Sequence, residues 1–72
     1  MSISSTAKIA KTAIIEGEVT IGENVIIEDY VVIKGNVIIQ DGSYIYNHVT
    51  IRGNTHIGKN NTIFPNAVLG TM

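Results

Sequence analysis

The sequence predicts an all-β fold, a parallel β-solenoid of four triangular coils with eighteen residues in each, on three observations. The first is a six-residue beat. Cut into sixes from Met1, the 72 residues give twelve hexads with none left over. The third place reads Ile3, Ile9, Ile15, Ile21, Ile27, Ile33, Ile39, Ile45, Ile51, Ile57, Ile63 and Leu69, all aliphatic. The second is the place two residues earlier, small or β-branched at Ala7, Ala13, Val19, Val25, Val31, Val37, Val49 and Ala67. Two inward residues separated by an outward one is strand alternation. The third is a glycine column, Gly17, Gly35 and Gly53, which falls at the fifth place of every third hexad. A bend that recurs every eighteen residues means three hexads per turn. No hexad can bury its aliphatic residue alone, and stacking coil on coil closes a continuous core.

Along the chain, MSISST is the weakest hexad, polar except for Met1 and Ile3, and is expected to cover the first coil or to fray. AKIAKT begins the regular series. Hexads three to seven are the most β-branched and form the stiffest part of the predicted stack. Proline is absent until Pro65, so the central ladders lose no hydrogen-bond donor. In the fourth place Glu16, Lys34 and Arg52 form a column of opposite charges, and Tyr46 lies one coil from Phe64. From Ser43 the beat continues with more polar residues, SYIYNH, VTIRGN, THIGKN and NTIFPN. Asparagine suits bend positions because it tolerates left-handed backbone.

Composition excludes several functions. A formal net charge of -1 with five scattered basic residues leaves no electrostatic footprint for nucleic acid or an anionic membrane. With no cysteine there is no disulfide, no thiol chemistry and no cysteine-based metal site, which suits the cytoplasm. The longest apolar run is four residues, Tyr30 to Ile33, far short of a signal peptide or a membrane span. A single domain, residues 1–72, is expected, and the pattern is still running at Thr71 and Met72, which reads as a fragment, a truncation or an engineered product.

Candidate chemistry rests on two histidines. Zinc catalysis needs three converging protein ligands, and His48 and His56 are two, placed on different parts of the coil by the six-residue count. No metal or other cofactor is expected. As a general base on a sugar hydroxyl, either histidine would need a group to orient it, and neither has a carboxylate neighbour in sequence. No catalytic, cofactor-binding or metal residue is therefore assigned. A non-enzymatic alternative, a threonine array on one flat face, is opposed by Thr20, Thr50 and Thr62 falling on three different faces.

Three segments carry a resemblance: AKIAKTAIIEGEVTIG from Ala7 to Gly22, HVTIRGNTHIGKNN from His48 to Asn61, and IFPNAVLGT from Ile63 to Thr71. They resemble the N-terminal coils of the UDP-N-acetylglucosamine 3-O-acyltransferases of lipid A biosynthesis, within the hexapeptide-repeat superfamily. The resemblance implies a left-handed parallel β-helix, a homotrimer, an acyl-carrier-protein thioester as donor and a UDP-sugar as acceptor. In that family the last segment leads into a Gln-Asp-Leu-Lys loop on the sugar nucleotide, then to the catalytic histidine and a helical region. This chain has neither that loop nor that histidine. His48 aligns with a family histidine outside the catalytic position, and His56 aligns where the family tends to have lysine. The resemblance thus implies the structural N-terminal β-helix of such an enzyme, inactive alone. The alternative is an active hexapeptide-repeat O-acyltransferase with a histidine base. Acyl carrier protein and UDP-N-acetylglucosamine are partners only of the full-length family protein.

Self-association is expected from the residues themselves. Outward Ile14, Val32, Thr50 and Val68 make an apolar stripe up one face, and the last coil presents an open backbone edge. A face-packed trimer or an end-to-end dimer would cover one or the other.

Overall fold

The computed structural model describes residues 1–70; Thr71, the last residue of the third resembling segment, and Met72 lie outside the described residues. Short and long strands alternate: β1 (Ser2–Ile3), β2 (Lys8–Ile9), β3 (Ile14–Ile21), β4 (Ile26–Ile27), β5 (Val32–Ile39), β6 (Tyr44–Ile45), β7 (Thr50–Ile57), β8 (Thr62–Ile63) and β9 (Val68–Leu69). All pairing is parallel. One sheet has the order β1-β3-β5-β7-β9, the other β2-β4-β6-β8. Every pair is offset by eighteen residues, so Ile15 lies over Ile33 and Ile33 over Ile51. The eighteen-residue coil is therefore the structural repeat, and no helix occurs among the described residues.

Three faces follow from the register. The first carries outward Ser2, Thr20, Ile38 and His56, the second Lys8, Ile26, Tyr44 and Thr62, the third Ile14, Val32, Thr50 and Val68. The five-stranded sheet covers two of them. It does so because β3, β5 and β7 run through the glycine corner with their ladder unbroken, Gly17 on Gly35 on Gly53. At that corner φ is 99° at Gly17 and 115° at Gly35, and a Cβ on either would come within 2.6–2.7 Å of the carbonyl oxygen in the next coil. Only glycine meets both demands.

The other two corners are turns, and both need left-handed residues. Between the first and second faces these are Asn24, Gly42 and Asn60, as the asparagine content suggested. Between the second and third faces they are Tyr30 (φ 61°), His48 (φ 59°) and Asn66 (φ 67°). Tyrosine and histidine pay an intrinsic cost here, of order 1–3 kcal/mol each. Hydrogen bonds from the adjacent coil hold these corners. Tyr30 N–H donates to Thr12 Oγ1 at 3.0 Å, Asn24 N–H to Thr6 Oγ1 at 3.0 Å, and Glu23 N–H to Asp41 Oδ1 at 2.8 Å.

The core is the paired aliphatic columns. Val19, Ile21, Val25, Ile27, Val31, Ile33, Val37, Ile39, Ile45, Val49, Ile51 and Ile57 are buried in a continuous file. Burial of the third-place residues falls off at the ends of the stack. Ile3 is 41% exposed, and Ile9, Ile15, Ile63 and Leu69 are only half-buried. A terminal coil has a neighbour on one side only, so its aliphatic residues are half covered. MSISST does not fray: as the first face of the first coil it is tied to the second, with β1 paired to β3 and Ser4 N–H donating to the Ile21 carbonyl at 2.9 Å. Within the core, the one buried polar residue among those described is Ser43, whose Oγ donates to the Gly58 carbonyl (2.7 Å) and accepts from Asn61 N–H (3.1 Å). That hydroxyl ties one coil to the next where neighbouring hexads carry valine.

Candidate functional site

The second face and the corner that ends it hold every aromatic residue of the chain. Tyr30, Tyr44, Tyr46 and Phe64 come from hexads five, eight and eleven, which the eighteen-residue coil stacks directly above one another. Two aromatic stacks result. Tyr46 lies on Phe64 with centroids 5.9 Å apart and planes at 10°, and Tyr44 leans on Tyr46 at 4.6 Å. At the corner Tyr30 stacks on His48 at 5.1 Å and 28°. Such offset pairs contribute roughly 0.5–1.5 kcal/mol each beyond burial.

Between the stacks sits Glu28. Its Oε2 accepts the Tyr44 hydroxyl at 2.5 Å, and its Oε1 accepts from the Asn47 backbone N–H (3.1 Å) and side-chain amide (3.4 Å). This hydrogen bond, then burial, then the carboxylate charge push the Tyr44 pKa above 10.0. The carboxylate is thus tied down as an acceptor, and charge-assisted bonds of this kind are stronger than neutral ones. A shallow groove of about 450 Å³ opens beside it, lined by Lys8, Ala10, Ile26, Glu28, Asp29 and Asn47 among others.

The two histidines considered from sequence are not brought together. His48 is exposed at the corner; its backbone N–H donates to the Asp29 carbonyl (3.1 Å), and its Nδ1 lies 3.1 Å from Asn47 Oδ1. The polar partner of the ring is thus a neutral amide, not a carboxylate. His56 stands exposed on the first face beside Ile38. Among the described residues no group of three or more His, Cys, Asp or Glu is placed to hold a metal ion. General-base catalysis needs a base aimed at a hydroxyl and oriented by a partner. The geometry here offers recognition surface: stacked rings, a fixed carboxylate and amide groups.

The Glu28–Tyr44–Asn47 cluster was not singled out from the sequence, although its signal is present. Writing the hexads in columns of eighteen puts Ala10, Glu28, Tyr46 and Phe64 in one file and Lys8, Ile26, Tyr44 and Thr62 in the next. The Tyr46–Phe64 stack was legible in that way. Of the charge column, the lower pair forms, with Lys34 Nζ 3.8 Å from Glu16 Oε1 across one coil step, whereas Arg52 lies in register with the like-charged Lys34.

No helix among the described residues is long and apolar enough to cross a membrane. In comparison with known proteins, residues 18–53 match the family model described as bacterial transferase hexapeptide (six repeats). No curated protein and no solved structure matches the chain. The matched span is half of the chain and covers its best-buried coils. With its in-register hexads, this chain belongs to the bacterial transferase hexapeptide family.

Proposed function

We propose that the chain is the structural N-terminal β-helix of an O-acyltransferase acting on UDP-N-acetylglucosamine in lipid A biosynthesis, and that it has no acyl-transfer activity by itself. The observation that carries this reading is the IFPNAVLGT segment at Ile63 to Thr71, together with the segments at Ala7 to Gly22 and His48 to Asn61. The hexapeptide transferase family supports the general class. In the whole enzyme the acceptor would be the UDP-sugar and the donor an acyl-carrier-protein thioester, in the cytoplasm. A left-handed winding of the coils goes with the same reading.

The absence of activity in this chain follows from the chemistry of its own groups. Acyl transfer needs a base on the acceptor hydroxyl and donors aimed at the developing oxyanion. His48 faces an amide oxygen, His56 stands on an open face, and both oxygens of Glu28 are engaged. The test is incubation of the purified chain with acyl-carrier-protein thioester and UDP-N-acetylglucosamine, following the acylated sugar nucleotide. No turnover is expected. Turnover abolished by His48→Ala or His56→Ala would establish the active-enzyme alternative instead.

A further inference from the structure

With no tryptophan and no cysteine, the chain has neither an indole nor a thiol, and its three tyrosines are the side chains that most readily give up a single electron. A phenol does not lose an electron alone. The radical cation left behind is a very strong acid, so the hydroxyl proton leaves in the same event, and the difficulty of that joint step sets the rate. A base already hydrogen-bonded to the hydroxyl removes much of the difficulty, because no encounter or reorganisation has to come before the proton moves.

Of the three phenols, Tyr44 has such a base. Its hydroxyl donates to Glu28 Oε2 at 2.5 Å, within the short range of a charge-assisted bond to a carboxylate. That carboxylate is held from its other side, where Oε1 accepts from the Asn47 backbone N–H at 3.1 Å, and among the described residues no cation is paired with it. Tyr30 is the more exposed tyrosine, at 57%, but its ring lies on His48 and among the described residues its hydroxyl meets no carboxylate. Nor does the hydroxyl of Tyr46. The Tyr46 ring instead rests against Tyr44, with centroids 4.6 Å apart and planes at 38°, while Phe64 stacks on it from the next coil.

We propose that Tyr44 is the residue of this chain that one-electron oxidants attack first, with Glu28 as the proton acceptor, and that the radical ends as a carbon–carbon bond between the Tyr44 and Tyr46 rings. The oxidant belongs to the class of peroxyl and carbonate radicals, each of which takes one electron. The first equivalent leaves Tyr44 as a neutral phenoxyl radical, its proton on Glu28 and from there passed to water. A second takes an electron from Tyr46, whose proton goes to solvent. The ring carbons ortho to the two oxygens then join, and the hydrogens they carried move to those oxygens, restoring two phenols. In sum two electrons and two protons are lost and one bond is formed. The bridge links outward residues on either side of buried Ile45, so the core columns are untouched and the second face absorbs both oxidising equivalents without opening the stack.

The test is photochemical. The chain is mixed with tris(bipyridyl)ruthenium(II) and persulfate, lit briefly, digested with trypsin and read by mass spectrometry. Trypsin cuts after Lys34 and Arg52, so Tyr44 and Tyr46 leave in the peptide Gly35–Arg52 and Tyr30 in the peptide that ends at Lys34. The expected main product is Gly35–Arg52 lighter by two hydrogen atoms and fluorescent as dityrosine, at a yield unchanged by Tyr30→Phe. Glu28→Gln keeps an acceptor oxygen for the hydroxyl but no base, and should form that product at least about tenfold more slowly. Should that variant not fold, wild type in denaturing urea takes its place: with the carboxylate no longer held on the hydroxyl, modification should spread to the Tyr30 peptide. Products joined mainly through Tyr30, equal rates in wild type and folded Glu28→Gln, or the same distribution in urea as in the folded chain would overturn the proposal. No acyl transfer enters the assay, so this site and the enzyme reading fail separately.

Discussion

Replacing Ile33 and Ile3 by alanine makes the same chemical change at the same place of two hexads, and the stacked-coil structure requires different costs. Ile33 is fully buried, with Ile15 in register below it and Ile51 above. Ile3 has a coil on one side only and is 41% exposed. A buried isoleucine reduced to alanine costs about 2–5 kcal/mol, the transfer term plus the cavity left behind. For Ile3, the removed atoms are already part hydrated and no closed cavity forms, so about 1 kcal/mol is expected. A chain of this size has roughly 4–11 kcal/mol of total stability, so Ile33→Ala removes a large fraction of it. Urea denaturation at one fixed protein concentration reads both, and Ile33→Val, at about 0.5–1.5 kcal/mol, keeps the comparison measurable if the alanine variant does not fold. Equal losses at Ile33 and Ile3 would refute a core closed by coils on both sides.

Four further outcomes follow from particular contacts. Gly35→Ala places a Cβ 2.7 Å from the Gly53 carbonyl oxygen at φ 115°, so it should cost at least about 1–3 kcal/mol, whereas Gly58→Ala, whose Cβ meets nothing closer than 3.4 Å, should cost under about 1 kcal/mol in the same urea titration. Ser43→Ala leaves the Asn61 N–H and the Gly58 carbonyl without their hydroxyl partner and should cost about 1–3 kcal/mol, read by thermal denaturation. Lys34→Ala breaks an exposed pair with Glu16 and should change stability by less than about 1 kcal/mol, with the small effect vanishing in high salt. Because the folded Tyr44 pKa is raised by its bond to Glu28, its contribution is fully present below pH 10.0 and is lost as pH climbs through the raised value. The thermal midpoint of the wild type should therefore fall more steeply than that of Tyr44→Phe in alkaline buffer, and parallel curves would contradict this.

The architecture was legible because the constraint that builds it is written along the chain. Ile15, Ile33 and Ile51 share a column because each must cover the one below, and Gly17 and Gly35 recur because a carbonyl occupies the space of a side chain. What was less legible depends on neighbours across the coil. Tyr30 and His48 carry no preference for left-handed backbone of the strength that Asn24 or Asn60 does; the Thr12 hydroxyl and the stacked rings hold that corner, and these contacts come from hexads eighteen residues away. Glu28 reads as an ordinary outward carboxylate until Tyr44 and Asn47 are laid over it. The exposure of Ile3 is an end effect, to which a repeat pattern is blind.

The most direct test of the stacked-coil account is the sequence separation of inter-strand contacts in solution. Nuclear Overhauser effects between backbone protons of the labelled chain report it at the roughly 4.8 Å spacing of neighbouring strands. Cross-peaks linking Ile15 to Ile33, Ile33 to Ile51 and Gly17 to Gly35 in a parallel pattern, all at a separation of eighteen, are the predicted result. Contacts at separations of twelve or twenty-four, or an antiparallel pattern among the same residues, would contradict it.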